Sequence, residues 1–241
     1  MLARGGLDGE EFSEPERGTT QGAVLSPLLG NVYLHYVLDQ WFATEVKPRL
    51  RGKATLLRYC DDFLIGFEHE DDARRVMVVL GRRGERYGLT LHPDKTRLVP
   101  FGRPPQGQQS GKGPATFDFV GFTFYWARSR RGRWGRWGKT RRASLRRAKQ
   151  AIYEWCRRHR HQSVQVQHAA LSRRLRGYFN YFGVSGNFRR QRRLVEATKR
   201  AWYKWLCRRS QRKRLHWGKF EELLRQLPLP RPRIMVRIWS A

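Results

Sequence analysis

The 241-residue sequence has only three cysteines, no long apolar run and, in its second half, almost no acid. Cys60, Cys156 and Cys207 are too few and too scattered for a disulfide framework, which excludes a small cystine-stapled domain and suits a reducing, intracellular setting. Cys156, His159 and His161 have the spacing Cys-x2-His-x-His, but no fourth ligand stands nearby and arginines surround them, so a helix end is expected rather than a zinc site. No stretch approaches the length of about 18 apolar residues that a membrane-spanning helix needs. The opening MLARGGLDGEEFSEPERGTTQG is polar and glycine-rich where a secretory signal would be apolar.

The shortage of acid is one-sided. Residues 1–120 carry 16 basic and 16 acidic side chains, and residues 121–241 carry 34 and 4, so the whole excess of +30 lies in the second half. Eight of the nine tryptophans are there too, which places flat apolar rings beside cations that can neutralise phosphates. Arginine outnumbers lysine in that half by 28 to 6, and its planar guanidinium suits bidentate phosphate contacts. Nucleic acid is the partner this composition indicates. A membrane surface is not expected, because the basic helices carry aromatics on more than one face.

Ser26-Pro27 is a helix start. Leu28, Leu29, Val32, Tyr33, Tyr36, Val37 and Trp41 then recur at three- and four-residue spacings, predicting one apolar helix face over 27–44. Residues 54–60 and 63–67 read as strands joined at Asp61-Asp62, 70–87 as a helix stopped by Gly88, and 89–91 as a short strand. The segment 102–115 is a loop by composition, 116–126 a strand, and RSRRGRWGRWGKTRR a basic turn. Helices are expected near 142–160, 164–182, 188–209 and 217–227, followed by a proline-rich tail.

The stretch LLRYCDDFLIGF sets two like charges side by side between apolar segments. Adjacent carboxylates repel unless a cation or proton neutralises them, and Mg²⁺ takes one or two carboxylates with water and substrate phosphates. Taken alone, Asp61-Asp62 reads first as a polar turn, aspartate being common there, and only second as a metal site.

RYCDDF resembles the Tyr-x-Asp-Asp box of reverse transcriptases. Upstream, GTTQGAVLSPLLGNVYLHYVLD is similar to the Gly-Thr-Pro-Gln-Gly-Gly-x-x-Ser-Pro-Leu-Leu block of group II intron reverse transcriptases; downstream, GLTLHPDKTRLV and FDFVGF resemble their next two segments. LRGYFNYFG resembles the Arg-Gly-Trp-x-x-Tyr signature of the intron maturase domain, and RLHWGKFEELLRQLPLPRPRI the family's C-terminal stretch. Together these motifs run in order from Gly18 to Ile234.

The resemblance implies an α+β fold: a partial reverse-transcriptase palm over 1–126 and an α-helical thumb or maturase domain over 127–241. It implies RNA-directed DNA polymerase and RNA-splicing activities, with Asp61 and Asp62 as catalytic Mg²⁺ ligands. Gln21, Gly22, Tyr59 and Lys95 would meet the nucleotide and primer, FDFVGF would be the primer grip, and group II intron RNA, an RNA template and a DNA primer would be the partners. A cytoplasmic ribonucleoprotein is the implied setting. Thr20 replaces the usual proline and Cys60 the usual alanine. The family's fingers and its earlier palm aspartate have no counterpart, since Asp8 is the only aspartate before the Gln-Gly block. The chain is therefore expected to be a C-terminal fragment, pairing with a separate N-terminal piece or acting as a polymerase-inactive RNA-binding maturase. An exposed apolar edge near Leu56–Tyr59 is expected with it.

In the basic half, Arg173, Arg174, Arg176, Arg189, Arg190, Arg192 and Arg193 are expected on the RNA backbone. Tyr178 and Tyr181 are either stacked on bases or packed in the core.

Overall fold

The computed structural model describes residues 6–8, 11–13, 25–104, 115–129, 132–209 and 215–237. The chain divides into two compact units, Met1–Leu98 and Val99–Ala241. A boundary at 126/127 would cut a strand: Phe122–Arg128 pairs along its whole length with Trp134–Thr140, which keeps this sheet with the helices that follow.

The first unit opens with a short antiparallel pair, β1 (Gly6–Asp8) and β2 (Glu11–Ser13). Helix α1 (Ser26–Leu34) follows, with Leu25 rather than Ser26 at the N-cap position and Pro27 in the first turn. The helix expected to reach residue 44 does continue, but it widens into π-helical turns, His35–Gln40 and Phe42–Val46. Only this wider part is buried. Leu38, Trp41, Phe42 and Val46 pack with Ala54, Val76 and Leu80 as the core, while Leu28, Leu29, Val32, Tyr33 and Tyr36 remain exposed.

Strands β3 (Ala54–Tyr59) and β4 (Asp62–Phe67) form an antiparallel hairpin. Period-two alternation turns Leu56, Phe63, Ile65 and Phe67 toward the core and leaves Leu57 and Tyr59 exposed on the other face, so of the apolar segment expected to be exposed over 56–59 Leu56 is instead packed inward. Helix α2 (Glu70–Arg86) has three acids in its first turn and Arg83 and Arg86 in its last, complementing the helix dipole. One of those acids, Asp72, faces inward. It accepts the backbone N–H groups of Arg51 and Gly52 at 3.0 Å each and pairs with Arg75, and these donors hold its carboxyl below the usual range. Gly88, at φ 67°, ends the helix. No strand forms over 89–91, because the Leu89 N–H turns back to the Gly84 carbonyl at 2.9 Å.

The second unit joins a three-stranded antiparallel sheet to four helices. The strand expected over 116–126 is a hairpin, β5 (Phe117–Phe119) and β6 (Phe122–Arg128), folded at Val120-Gly121 with φ of 45° and 78°. Valine rarely takes positive φ, so the alternating pattern conceals this turn. The basic segment expected as a turn supplies β7 (Trp134–Thr140). There Arg136 faces Trp126 at 5.9 Å and Arg128 faces Trp134 at 5.2 Å, cation–ring pairs that favour strand pairing despite the glycines.

Helices α3 (Arg142–Arg158), α4 (Val164–Phe182), α5 (Phe188–Leu206) and α6 (Trp217–Gln226) lie close to their expected spans. Leu145, Ile152, Leu171, Leu175, Phe179, Leu194, Trp202 and Phe220 make their common core. Three buried amides tie the connections to it. Gln167 accepts from Trp202 Nε1 at 2.8 Å and donates to the carbonyls of His159, Arg160 and Gln162, closing the α3–α4 loop. Asn187 bonds the β7 end, accepting from the Thr140 N–H at 2.9 Å and donating to Thr140 Oγ1 at 2.8 Å. Gln191 exchanges two bonds with the Arg233 backbone, at 2.8 and 2.9 Å, and so straps the proline-rich tail. Cys156 is buried on α3, its thiol pushed up to about 12 by desolvation, and His159 stacks on Trp155, so this is a packed helix end. Among the described residues no group of three or more metal-ligating side chains gathers anywhere, and no helix is long and apolar enough to cross a membrane.

Candidate active site and nucleic-acid interface

Tyr59 pairs with Asp62 across the β3–β4 ladder, so the two-residue connection is Cys60-Asp61, one position earlier than expected. The two carboxylates therefore differ in kind: Asp61 belongs to the turn, and Asp62 opens β4 on the face shared with Tyr59 and Leu57. Both are exposed, and neither has a salt-bridge partner among the described residues. Cys60 takes φ of 55°, a left-handed conformation usually given to glycine, and it is what turns the chain at the carboxylates.

The turn is held from beneath by Arg58. This strand residue points to the inner face, where Nε and NH2 reach the two oxygens of Asp39 at 2.8 and 2.6 Å. Its NH1 donates to Asn31 Oδ1 at 2.8 Å and to the Cys60 carbonyl at 2.9 Å. One guanidinium thus joins α1, the π-helical turn and the hairpin tip. The Arg58 bond and charge hold the Asp39 carboxyl below its ordinary range, against a burial effect of opposite sign, and the bond to Asp39 raises Arg58 in turn. Sequence reading did not single out Arg58, Asp39 or Asn31. The signal was there: in LLRYC, period two sends a charge to the same side as Leu56 and Ala54, and a buried charge needs a partner.

Two exposed carboxylates on an anchored tip are a donor set suited to a hydrated Mg²⁺ that completes its shell with water and phosphate oxygens. Among the described residues no third carboxylate, histidine or cysteine joins them. Lys95 is exposed in a turn closed by its N–H to the His92 carbonyl at 3.1 Å, and no bond links it to either aspartate. Gln21 and Gly22 lie outside the described residues.

The expected RNA contacts sort unevenly. Arg173, Arg176, Arg189, Arg192 and Arg193 are exposed and Arg190 is half-buried. Arg174 lies 4.6 Å over the Trp155 ring and donates to the Ala170 carbonyl, so part of its role is packing. Both tyrosines pack against protein. Tyr178 donates to Thr140 Oγ1 at 3.0 Å with its ring on Phe182, and burial pushes its hydroxyl up; Tyr181 stacks on Phe122 and donates to the Val120 carbonyl. Sequence reading overlooked four cations on the facing sides of α3 and α5: Arg146, Lys149, Arg200 and Lys204. Their spacing of three and four residues along each helix was the available signal.

A comparison with curated proteins finds no match. A family model does match: reverse transcriptase (RNA-dependent DNA polymerase), over residues 4–124, half the chain, with the aspartate hairpin and β5 inside the matched region. The anchored Tyr-x-Asp-Asp tip and this match agree, and the chain belongs to the reverse transcriptase family.

Proposed function

We propose that this chain carries palm and thumb portions of a group II intron reverse transcriptase and maturase. Asp61 and Asp62 hold Mg²⁺ for nucleotidyl transfer, and the helical unit clamps RNA. The observation that carries the reading is the tip itself: two carboxylates without a salt bridge among the described residues, at a turn whose Cys60 carbonyl is held by Arg58, which is itself fixed by three hydrogen bonds to Asp39 and Asn31. When bound, Mg²⁺ supplies charge neutralisation at the reacting phosphate and orients the attacking oxygen. The protein's own part is rigidity, since a displacement of about 1 Å at such a site costs on the order of 100-fold in rate. Tyr59, on the open face beside Asp62, meets the primer end, and Gln21, Gly22 and Lys95 approach the nucleotide. The motif order from Gly18 to Ile234 supports intron RNA as the partner of the second unit, through Arg173, Arg176, Arg189, Arg192 and Arg193.

A second reading is a maturase that binds RNA without synthesising DNA. It is favoured by the concentration of charge in residues 121–241 and by the pair of aspartates having no third ligand among the described residues. Primer extension on an RNA template with Mg²⁺ or Mn²⁺, beside Asp61→Ala, separates the two. Synthesis abolished by the substitution supports the polymerase. No synthesis, with RNA still bound, leaves the maturase.

A further inference from the structure

Helices α3 and α5 enclose an open trench of about 740 Å³. Its walls carry six cations, Arg146 and Lys149 from α3 and Arg192, Arg193, Arg200 and Lys204 from α5, against a single acid, Glu196. That acid is engaged by Lys199 at 3.1 Å, and no salt bridge reaches any of the six among the described residues. Ala197 and Ala201 line the trench on the α5 side, where small side chains leave it open. Six like charges facing one concavity repel one another, and a polyanion is the partner that removes the cost.

We infer that this trench seats one strand of nucleic-acid backbone and holds it without reading bases. The inference deepens the RNA-clamping reading above and rests on it. Length excludes a mononucleotide: Arg193 to Lys204 spans eleven helical residues, about 16 Å at ~1.5 Å each. One strand of a duplex carries a phosphate per ~3.4 Å of helix axis, so a trench of that length faces about five phosphates of a helical strand and fewer of an extended one. Base stacking is excluded because Tyr153, the one ring in the trench, is already engaged. Its hydroxyl accepts from Lys204 Nζ at 2.8 Å, and its ring meets Trp205 edge-on at 5.5 Å. What remains on offer is guanidinium and ammonium, which bind phosphodiester whatever the sequence.

The test compares Arg146→Gln/Lys149→Gln/Arg200→Gln with a control of equal charge loss, Arg158→Gln/Arg225→Gln/Arg231→Gln, all exposed or lining positions outside the core. Binding of labelled 20-nucleotide RNA and DNA is followed by anisotropy across a salt series, with helicity checked by circular dichroism. Three lost contacts at about 0.7 each make the slope of log K against log salt shallower by roughly 2 in the trench variant, with binding at least about tenfold weaker. The control is expected to change the slope by less than half as much. Loss on both polymers, or on one only, supports the trench and names which backbone occupies it. A trench variant with the wild-type slope overturns the inference while leaving RNA clamping intact. If the unaltered protein binds RNA with no salt dependence, the clamping reading itself falls.

Discussion

Arg58 and Asp39 meet as a fork, Nε to Oδ1 at 2.8 Å and NH2 to Oδ2 at 2.6 Å, with the arginine side chain only 14% exposed. Because the same guanidinium also holds the Cys60 carbonyl, the geometry of the aspartate tip depends on a residue five positions past the end of α1. A charge-assisted pair at this depth is worth about 1–2 kcal/mol in coupling, more than an exposed pair. A double-mutant cycle of Arg58→Ala and Asp39→Ala, read by urea denaturation, should return a coupling of that size. Arg58→Lys should behave like the alanine variant, since one ammonium cannot span both carboxylate oxygens. Additive single effects would show that the fork contributes nothing.

Cys60 holds φ of 55° with a side chain. Left-handed backbone costs a residue with Cβ about 1 kcal/mol relative to glycine. Cys60→Gly should therefore raise stability by up to that amount, reduced by the greater freedom glycine has in the unfolded chain. The same exposure makes Cys60 the fast-reacting thiol. At pH 8, Cys156 should resist labelling in the native protein, being buried with its thiol pushed up to about 12. Equal labelling rates for the two would contradict the hairpin and the α3 packing together.

Asp39 and Asp72 are both held below the ordinary carboxylate range in the folded protein, by Arg58 and by backbone N–H groups respectively. An unfolded aspartate titrates near ~3.9. As pH falls toward that value, the unfolded chain binds protons that the folded chain still refuses, so stability contributed by both groups is complete above about pH 5 and declines through pH 4 and below. Urea midpoints measured from pH 7 to pH 3 should fall in that window, and Asp72→Asn should flatten the fall. A midpoint unchanged to pH 3 would rule the linkage out.

The helical half was legible in the sequence because its periodicity is strong and its core is local to four amphipathic segments: α4 runs over the expected span and α3, α5 and α6 end within a few residues of it. The sheet was less so. Val120 turns the chain without a polar turn residue, and β7 reads as a glycine-punctuated basic turn until Trp126 and Arg128 are seen facing it. At the aspartate tip the residues were legible and their placement was off by one, since nothing in Tyr-Cys-Asp-Asp announces that cysteine takes the left-handed position. The trench was missed for a different reason. It exists only where α3 packs beside α5, and charge counting along the chain cannot show which arginines share a concavity.

Asn187 is fully buried, and its amide meets the Thr140 N–H, Thr140 Oγ1 and the Phe182 carbonyl at 2.9, 2.8 and 2.7 Å. Asn187→Ala leaves the buried Thr140 N–H without a partner, while Thr140 Oγ1 keeps Tyr178 and the Phe182 carbonyl keeps Gln191, and should cost about 1–3 kcal/mol; Asn187→Asp keeps the acceptor and loses both donations. Beside it, Gly186 lies at φ 88°, and a Cβ there would stand 2.7 Å from Trp137 Cε3, so Gly186→Ala should be damaging by a separate route. Thermal denaturation of the single and combined variants distinguishes these causes. Because Asn187 and Gly186 adjoin β7, loss should appear there first, as faster hydrogen exchange at the β7 amides.

Leu25, Leu28, Val32 and Tyr36 are 60%, 60%, 49% and 61% exposed on one helical run, and Leu57 and Tyr59 add 53% and 59% on the open face of the hairpin. Scattered apolar residues on a surface mean little, but i, i+3 and i+4 spacing makes the helical set continuous. The buried portion of the same helix begins only at Val37 and Leu38, so the apolar stripe runs past the core it serves. The isolated protein should therefore enhance the fluorescence of a hydrophobic dye in its native state and self-associate at high concentration. Leu28→Gln/Val32→Gln/Tyr36→Gln should reduce both without loss of helicity, since glutamine is a good helix former and none of these side chains is buried. Dye binding that persists in the triple variant would place the apolar surface at Leu57 and Tyr59 instead, and a native protein that binds no dye would show the stripe to be covered.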